Sequence, residues 1–274
     1  MPSREPESGG KIVVDAASKP AQRRPRLLLT NDDGIESPGI RLLAQRLARS
    51  HEVVVVAPTT DRSGAGTGIG RFDPREGVRY APGDIEGVES YAVDGPPGLA
   101  VMAASLGAFG GKPDLVVSGI NAGMNTGHSV IHSGTVGAAL TARTFGSRGL
   151  AVSLAPSDPW RWGTAVEVAA SIVAWLLARP GGSLVLNVNV PARAMDEVAG
   201  VTWAPLDEFG YFRVATTNEA DARLSFQVGA PDSGRDPACD TSRCLDGFVT
   251  LTPLSTVESD GVDWIPASEV CPVC

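Results

Sequence analysis

The sequence has few aromatic residues, few histidines and no long apolar run. Aromatic residues make up 5% of its 274 residues, and 3 histidines occur. No apolar stretch reaches the roughly 18 to 20 residues that a membrane-spanning helix needs. The nearest candidate, residues 165–178, carries Glu167 and a helical period. The composition therefore predicts an ordinary globular protein without a membrane span.

Basic residues are also scarce relative to acidic ones. The protein has 23 Lys and Arg against 31 Asp and Glu, which gives a formal net charge of −8. Binding to nucleic-acid polymers is dominated by contacts between basic side chains and phosphates, so this balance argues against a nucleic-acid-binding protein. An anionic substrate has to be attracted locally, and this favours a bound cation.

The first 25 residues are rich in Ser, Pro, Lys and Arg, and they lack the continuous apolar segment of a signal peptide. We interpret residues 1–25 as a mostly disordered N-terminal extension and expect a cytoplasmic protein.

Cysteine is confined to the last part of the sequence, at Cys239, Cys244, Cys271 and Cys274. Four thiolates can hold a structural zinc ion, the same residues can form disulfides, and they can also remain free thiols. The spacing leaves all three states open.

The most informative stretch runs from Arg26 to Gly39. Residues 27–29 are consecutive leucines, which is typical of a strand covered on both faces, and the strand is followed by Asn31, Asp32, Asp33 and Gly34. Adjacent carboxylates repel each other and are costly to desolvate. A divalent cation, Mg²⁺ or Mn²⁺, would offset both effects because such ions prefer oxygen ligands. A solvated turn is the alternative.

The remaining pattern alternates strands with helices. This order predicts a parallel α/β sheet in which strand, helix and strand form right-handed units. The predicted strands are 53–56, 115–117, 151–154 and 183–190, and the predicted helices are 40–48, 97–108, 136–143 and 162–179. In the strand at 183–190, residues facing inward alternate with residues facing outward. Residues 59–70 form a glycine-rich loop that contains Arg62 and Ser63. Beyond residue 191 the pattern predicts extended segments, which we interpret as a β-rich C-terminal appendage.

A second polar stretch follows the strand at 115–117. Asn121 and Asn125 offer neutral oxygens or amide donors there. Residues 133–135, Ser-Gly-Thr, open a predicted helix, whose free N–H groups and hydroxyls are a natural phosphate-binding site. The alternative is a glycine-rich turn with an N-cap. His128 and His132 are four residues apart, but no helical pattern connects them, so a zinc pair is not favoured.

Taken together, these motifs resemble the SurE family of metal-dependent survival-protein phosphatases, often called 5′/3′-nucleotidases. The resemblance covers residues 26–154 and returns at 184–191 and 248–254. It is carried by four motifs in order, which are Asn31-Asp-Asp-Gly34 with Pro38-Gly39, Ala57-Pro58 with Arg62-Ser63-Gly64, Ser118-Gly-Ile-Asn121-Ala-Gly-Met-Asn125, and Ser133-Gly-Thr-Val-Gly-Ala-Ala139.

The resemblance implies a site and an architecture. One divalent ion would be held by four residues, Asp32, Asp33, Ser63 and Asn121. The phosphate would be bound by Asn125, Ser133, Gly134 and Thr135, and we place Asn31 in the same group. The fold implied is a Rossmann-like three-layer α/β core over residues 26–191. Residues 192–274 would form a C-terminal region that exchanges between the partners of a homodimer, or of a tetramer built from dimers.

The predicted reaction is phosphomonoester hydrolysis by a metal-activated water, with Asp32 and Asp33 as the catalytic pair. The substrate would be a nucleoside monophosphate or another small phosphorylated metabolite. Two segments depart from the family pattern, residues 95–100 and His132, so a specialised biosynthetic phosphate ester is an alternative substrate. A non-catalytic nucleotide- or phosphate-binding protein is another alternative. An aspartyl-phosphate phosphatase is disfavoured because Gly34 occupies the position of its second carboxylate.

Overall fold

The computed structural model of the protein describes residues 23–179, 182, 184–211, 213–219, 223–229 and 236–255. Its strands are β1 Arg26–Thr30, β2 Glu52–Pro58, β3 Tyr80–Pro82, β4 Glu89–Val93, β5 Leu115–Ala122, β6 Arg148–Leu154, β7 Val185–Val190, β8 Gly200–Trp203, β9 Arg213–Glu219, β10 Arg223–Gly229 and β11 Phe248–Leu254. Its helices are α1 Pro38–Ala48, α2 Pro97–Ser105, α3 Gly134–Thr144, α4 Trp162–Leu177 and α5 Asp240–Leu245, with short 3₁₀ helices at His128–His132 and Met195–Glu197.

Most of the described strands form one sheet. Its nine strands are ordered β3-β4-β2-β1-β5-β6-β7-β11-β8. The strands from β4 to β7 pair in parallel, while β3 and β11 are antiparallel to their neighbours β4 and β7. The predicted α/β class with a parallel central sheet is confirmed.

Helices cover both faces of this sheet. On one face, Ile40 and Leu43 of α1 and Ala165 and Val173 of α4 share a buried cluster with alternate residues of the strands. On the other face, apolar residues of α2 and α3 pack against Leu28, Val54 and Val116. Because both faces are covered, β1 is buried throughout, as its leucine run predicted.

The order of the strands places the polar loops at one edge. The strand that follows β1 in sequence, β2, pairs with it on one side, and β5 pairs with it on the other side. The crevice between β1 and β5 is therefore a topological switch point, where open α/β sheets bind ligands beyond the carboxyl ends of their strands. The segments that follow Thr30 and Ser118 meet there.

Strand β7 differs from the prediction in its burial. Asn187 and Asn189 alternate with apolar residues, a pattern that indicates one core face and one outer face. In the structure all six residues of β7 are buried. The polar face is covered because both asparagines donate hydrogen bonds to the loop after β5.

The sheet extends into the C-terminal part of the protein. Strand β11 pairs with β7, and β8 pairs with β11, whereas β9 and β10 form a separate antiparallel pair. Residues 1–22 of the predicted extension, together with Cys271 and Cys274, lie outside the described residues. Among the residues that are described, no helix is both long and apolar enough to cross a membrane.

Candidate active site

The turn after β1 is held by the buried side chain of Asn31. Its Nδ2 donates to the carbonyl oxygen of Gly34 at 2.9 Å and to Ser37 Oγ at 2.7 Å, while its Oδ1 is buried without a hydrogen-bond partner. Gly34 has a φ of +95°, a conformation that favours glycine. Ser37 precedes α1, and its hydroxyl oxygen accepts the hydrogen bond from Asn31 and none from an N–H group of the helix.

Asp32 lies against the first turn of α3. Its Oδ1 accepts a hydrogen bond from Thr135 Oγ1. A Cβ added at Gly134 would lie 2.8 Å from both Asp32 Cβ and Asp32 Oδ2, so glycine permits this approach. Burial raises the pKa of Asp32 above its ordinary value, while the hydroxyl of Thr135 and the backbone N–H groups of Thr135 and Gly134 act in the opposite direction.

Asp33 follows Asp32 directly and is also largely removed from solvent. Burial, and next the negative charge of Asp32, raise the pKa of Asp33 to about 7, although a backbone hydrogen bond from Ala122 lowers it. Asp33 Oδ2 is buried and has no hydrogen-bond partner. Among the described residues, no Lys, Arg or His forms an ion pair with either carboxylate.

A third carboxylate lies in the loop after β2. Asp61 Oδ1 accepts hydrogen bonds from the backbone N–H and the hydroxyl of Ser63, at 2.7 and 2.6 Å, and these bonds lower the pKa of Asp61. The charge of Asp61 also contributes to the raised pKa of Asp33. Asp61 was not among the residues predicted for the site. Its Asp-x-Ser spacing, typical of an aspartate that caps its own turn, was the available signal.

The loop after β2 also brings Arg62 to the site. The backbone N–H of Arg62 donates to the Asp32 carbonyl oxygen at 2.7 Å. Its guanidinium forms an ion pair with Asp94 at 3.0 Å, while its Nε is buried without a partner. The backbone of Arg62 thus connects this loop to the end of β1, while its guanidinium is paired with Asp94.

The end of β5 and the loop after it supply the two asparagines. Asn121 Nδ2 donates to the Gly123 carbonyl oxygen at 2.8 Å, which leaves its amide oxygen available. Asn125 Nδ2 donates to Ser153 Oγ at 2.9 Å. Asn121 and Ser153 are register partners on β5 and β6, so both asparagines lie near the carboxyl end of β5.

The predicted phosphate-binding turn begins α3. Ser133 is its N-cap, and Ser133 Oγ accepts the Val136 N–H at 3.1 Å. Gly134 and Thr135 are buried and adjoin Asp32, so α3 orients its N-terminal N–H groups towards the same carboxylate that the sequence assigns to a metal. The structure thus brings residues 133–135 together with the end of β1.

The donors in this crevice fit a divalent cation. Two adjacent carboxylates and an amide oxygen are hard oxygen ligands, and Asp33 Oδ2 is buried and unpartnered. Ser63 differs from them, since it is exposed and its hydroxyl donates to Asp61. The described residues contain no cluster of three or more His, Cys, Asp or Glu side chains placed to hold a metal. A site completed by Asn and Ser does not require such a cluster.

The histidines and cysteines form no further metal site in the described part of the protein. His128 and His132, for which a zinc pair was not favoured, are exposed and are the first and last residues of a 3₁₀ helix, where the sequence indicated no helix. Cys239 and Cys244 are buried free thiols, and burial raises the pKa of Cys244 to about 12. A zinc site of four cysteines also needs Cys271 and Cys274, which are outside the described residues.

Comparison with known proteins identifies this architecture. The family described as "Survival protein SurE" matches residues 27–212. The chain belongs to the SurE family. It is 36% identical over 234 residues to the 5′-nucleotidase SurE of Aeromonas hydrophila subsp. hydrophila, covering 84% of this chain and 92% of that protein. It is 37% identical over 239 residues to the 5′-nucleotidase SurE of Marinomonas sp., with the same two coverages.

A solved structure of the same family supports the fold. The crystal structure of the SurE protein from Aquifex aeolicus superposes with a TM-score of 0.73 at 29% sequence identity. The match covers 86% of this chain and 95% of that one. The similarity to SurE proteins therefore extends well beyond the four sequence motifs, and it includes residues that follow position 191.

Proposed function

We propose that this protein is a divalent-metal-dependent phosphomonoester hydrolase that acts on nucleoside monophosphates. The observation that carries the proposal is the pair of adjacent carboxylates at the switch point of the sheet, in which Asp33 Oδ2 is buried without a hydrogen-bond partner. Two neighbouring, largely desolvated carboxylates without a basic partner are costly unless a cation is bound. Membership of the SurE family, with relatives named 5′-nucleotidase, supports the reaction class.

Asp32, Asp33, Ser63 and Asn121 are the residues proposed to hold the ion, for which Mg²⁺ and Mn²⁺ are the candidates. When bound, such an ion supplies positive charge next to the phosphoryl oxygens and lowers the pKa of a water molecule. The protein itself fixes these ligands. Thr135 orients Asp32, Ala122 orients Asp33, and Gly123 orients the amide of Asn121.

The remaining polar groups are proposed to bind the phosphoryl group. Asn125 and the turn at 133–135 supply amide and N–H donors, and donors of this type stabilise charge that develops during phosphoryl transfer. Asn31 Oδ1 is buried near the site, and Asn31 also holds the turn that carries Asp32 and Asp33. Asp32 and Asp33 are the carboxylates proposed to take up a proton at the reacting centre.

The organisation of the chain follows the same proposal. Residues 26–191 would form the catalytic core, and residues 192–274 a region that mediates a homodimer. A cavity of about 210 Å³ lies where the two parts meet, lined by Met124, Pro156, Arg193, Tyr211 and Leu245 among others. Met124, which lines this cavity, precedes Asn125 in sequence, and we propose that the cavity influences which leaving groups are accepted.

The first test is phosphate release with and without metal. Nucleoside monophosphates, sugar phosphates, polyphosphate and p-nitrophenyl phosphate would be offered with Mn²⁺, Mg²⁺ or EDTA. We expect metal-dependent release that is highest on nucleoside monophosphates. Asp33→Asn and Asp32→Asn should each lower kcat by on the order of 1,000-fold, since each removes charge from the reacting centre.

The matched control is Asp84→Asn, which neutralises an exposed carboxylate in the loop before β4. Its activity should equal that of the wild type. Near wild-type hydrolysis by Asp33→Asn in the presence of metal would refute the site. Metal-independent phosphate binding without release would favour a non-catalytic binding protein. Metal binding without release from any of these esters would favour a specialised substrate.

A further inference from the structure

Two buried asparagines on β7 lie behind the candidate phosphate site, and the proposed function gives them no role so far. Asn187 and Asn189 are both 0% exposed, in a strand whose other members are Val and Leu. Asparagine is unfavourable in strands, and a buried amide costs stability unless its hydrogen bonds are satisfied. Asn187 Oδ1 has no partner at all. Apolar residues would suit the folding of β7 better.

Both side chains point at one residue. Asn189 binds the backbone of Asn125 at two points, because its Oδ1 accepts the Asn125 N–H at 2.8 Å and its Nδ2 donates to the Asn125 carbonyl oxygen at 2.8 Å. Asn187 Nδ2 donates to the same carbonyl oxygen at 2.8 Å. The residue is therefore held through its main chain by side chains of a strand that lies two strands away from β5.

The side chain of Asn125 is fixed from the same region. Its Nδ2 donates to Ser153 Oγ, and Ser153 is the register partner of Asn189 on one side and of Asn121 on the other. Three neighbouring strands thus determine both the backbone position and the side-chain direction of Asn125. The second N–H of the Asn125 side-chain amide and its amide oxygen are therefore the groups of this residue that can bind a ligand.

We propose that Asn189, assisted by Asn187, is a positioning residue that holds Asn125 in place to bind the phosphoryl group. The inference rests on the proposed function, since it assumes that Asn125 faces the phosphate. Residues 123–127 form no helix or strand and include two glycines, so few local contacts fix the backbone at Asn125. Binding both backbone polar groups of Asn125 removes that freedom at the residue that has to be placed accurately.

The test is a double-mutant cycle between residues 189 and 125. Asn189→Asp keeps the oxygen that accepts the Asn125 N–H and removes the amide N–H that donates to the Asn125 carbonyl oxygen. Asn189→Leu removes both hydrogen bonds and replaces the amide with an apolar side chain of similar size. We expect each to lower kcat/KM on p-nitrophenyl phosphate by about 10- to 100-fold, as expected for a displacement of about 1 Å. The loss should appear mainly in kcat, because Asn125 is proposed to stabilise charge that develops in the transition state, and the Mn²⁺ concentration needed for half-maximal activity should be unchanged.

Coupling is the decisive quantity. If Asn189 acts through Asn125, Asn189→Leu should cause little further loss in an Asn125→Ala background. Thr250→Val is the matched control, because Thr250 is the register partner of Asn189 on β11, is buried, and its hydroxyl has no partner. This variant should leave kcat and KM unchanged. Independent, additive losses from Asn189→Leu and Asn125→Ala would overturn the inference.

A second readout is independent of turnover. Hydrogen–deuterium exchange at the Asn125 N–H should accelerate in Asn189→Leu and stay unchanged in Thr250→Val, since only the former removes its acceptor. Unchanged exchange at Asn125 would also overturn the inference. Failure of the proposed function looks different, because a wild-type protein that neither hydrolyses phosphate esters nor binds inorganic phosphate would show normal protection of Asn125.

Discussion

Asp33 links the candidate metal site to protein stability. Its pKa is raised to about 7 in the folded protein, whereas an ordinary aspartate titrates near 3.8. The folded state therefore binds more protons than the unfolded state between these values, and the free energy of unfolding falls as pH rises from about 4 to about 7. Above pH 7 this contribution is constant. The metal-free protein should thus be destabilised by Asp33 at neutral pH and not in acid.

This linkage is testable by thermal unfolding in EDTA. The Tm of Asp33→Asn should exceed that of the wild type by a margin that grows between pH 5 and pH 7.5. Added Mn²⁺ should raise the wild-type Tm more at pH 7.5 than at pH 5, because metal and protons compete for the carboxylate. The exposed-site variant Asp84→Asn should follow the wild type at each pH. A Tm difference between Asp33→Asn and wild type that does not change with pH would contradict the prediction.

The first residue of α3, Gly134, is explained by the position of Asp32 rather than by helix propensity. Gly134 begins the helix without a positive φ, so alanine would suit the backbone there. The added Cβ would instead meet Asp32 Cβ and Oδ2 at 2.8 Å. The glycine is required by the approach of Asp32, whose Cβ is tied to the end of β1 and cannot move aside easily.

We expect Gly134→Ala to separate activity from helix propensity. It should lower kcat/KM by about 10- to 100-fold by displacing Asp32, as small displacements at reacting centres do. The matched control is Gly163→Ala in the first turn of α4, where the added Cβ meets nothing within 4 Å. It should retain full activity and gain stability, up to about 1 kcal/mol. Full activity in Gly134→Ala would show that Asp32 need not lie against α3.

The sequence predicted where the strands lie, but it did not predict the burial of every strand. Apolar runs such as residues 27–29 and 53–56 predicted the strands, since burial on both faces needs continuous apolar residues. The position of β7 was predicted, but the prediction that one of its faces is exposed was wrong, because all six of its residues are buried. A polar residue at every second position looks the same whether it meets water or a buried loop, and that distinction depends on the loop after β5.

For the candidate site, too, some residues could be predicted from the sequence and others could not. Asp32, Asp33 and Asn121 follow strands that the sequence predicted, and parallel strands bring their carboxyl ends to one edge. Asp61 and Asn189 were missed because their importance arises from neighbours far along the sequence. The charge of Asp61 acts on Asp33, and Asn189 binds Asn125, 64 residues away in sequence. Such long-range pairs follow from strand order, which local patterns do not contain.

The outer strand β8 has exposed apolar side chains, which bear on how the protein assembles. Val201 and Trp203 are two apart on this strand, which is the edge of the sheet as far as the described residues show, and they are 63% and 57% exposed. An edge strand with exposed apolar side chains is prone to pair with another polypeptide. Together with the dimer that the SurE resemblance implies, this favours a second copy of the protein as the partner that covers β8.

We expect the wild-type protein to have twice its 28.3 kDa monomer mass in solution, as measured by light scattering after size exclusion. Trp203→Glu should shift the population to monomer, because it places a charge in the apolar contact. Leu106→Glu, at a similarly exposed residue just after α2, should remain dimeric. A monomeric wild type, or a Trp203→Glu variant that dimerises as tightly as the wild type, would remove β8 from the interface.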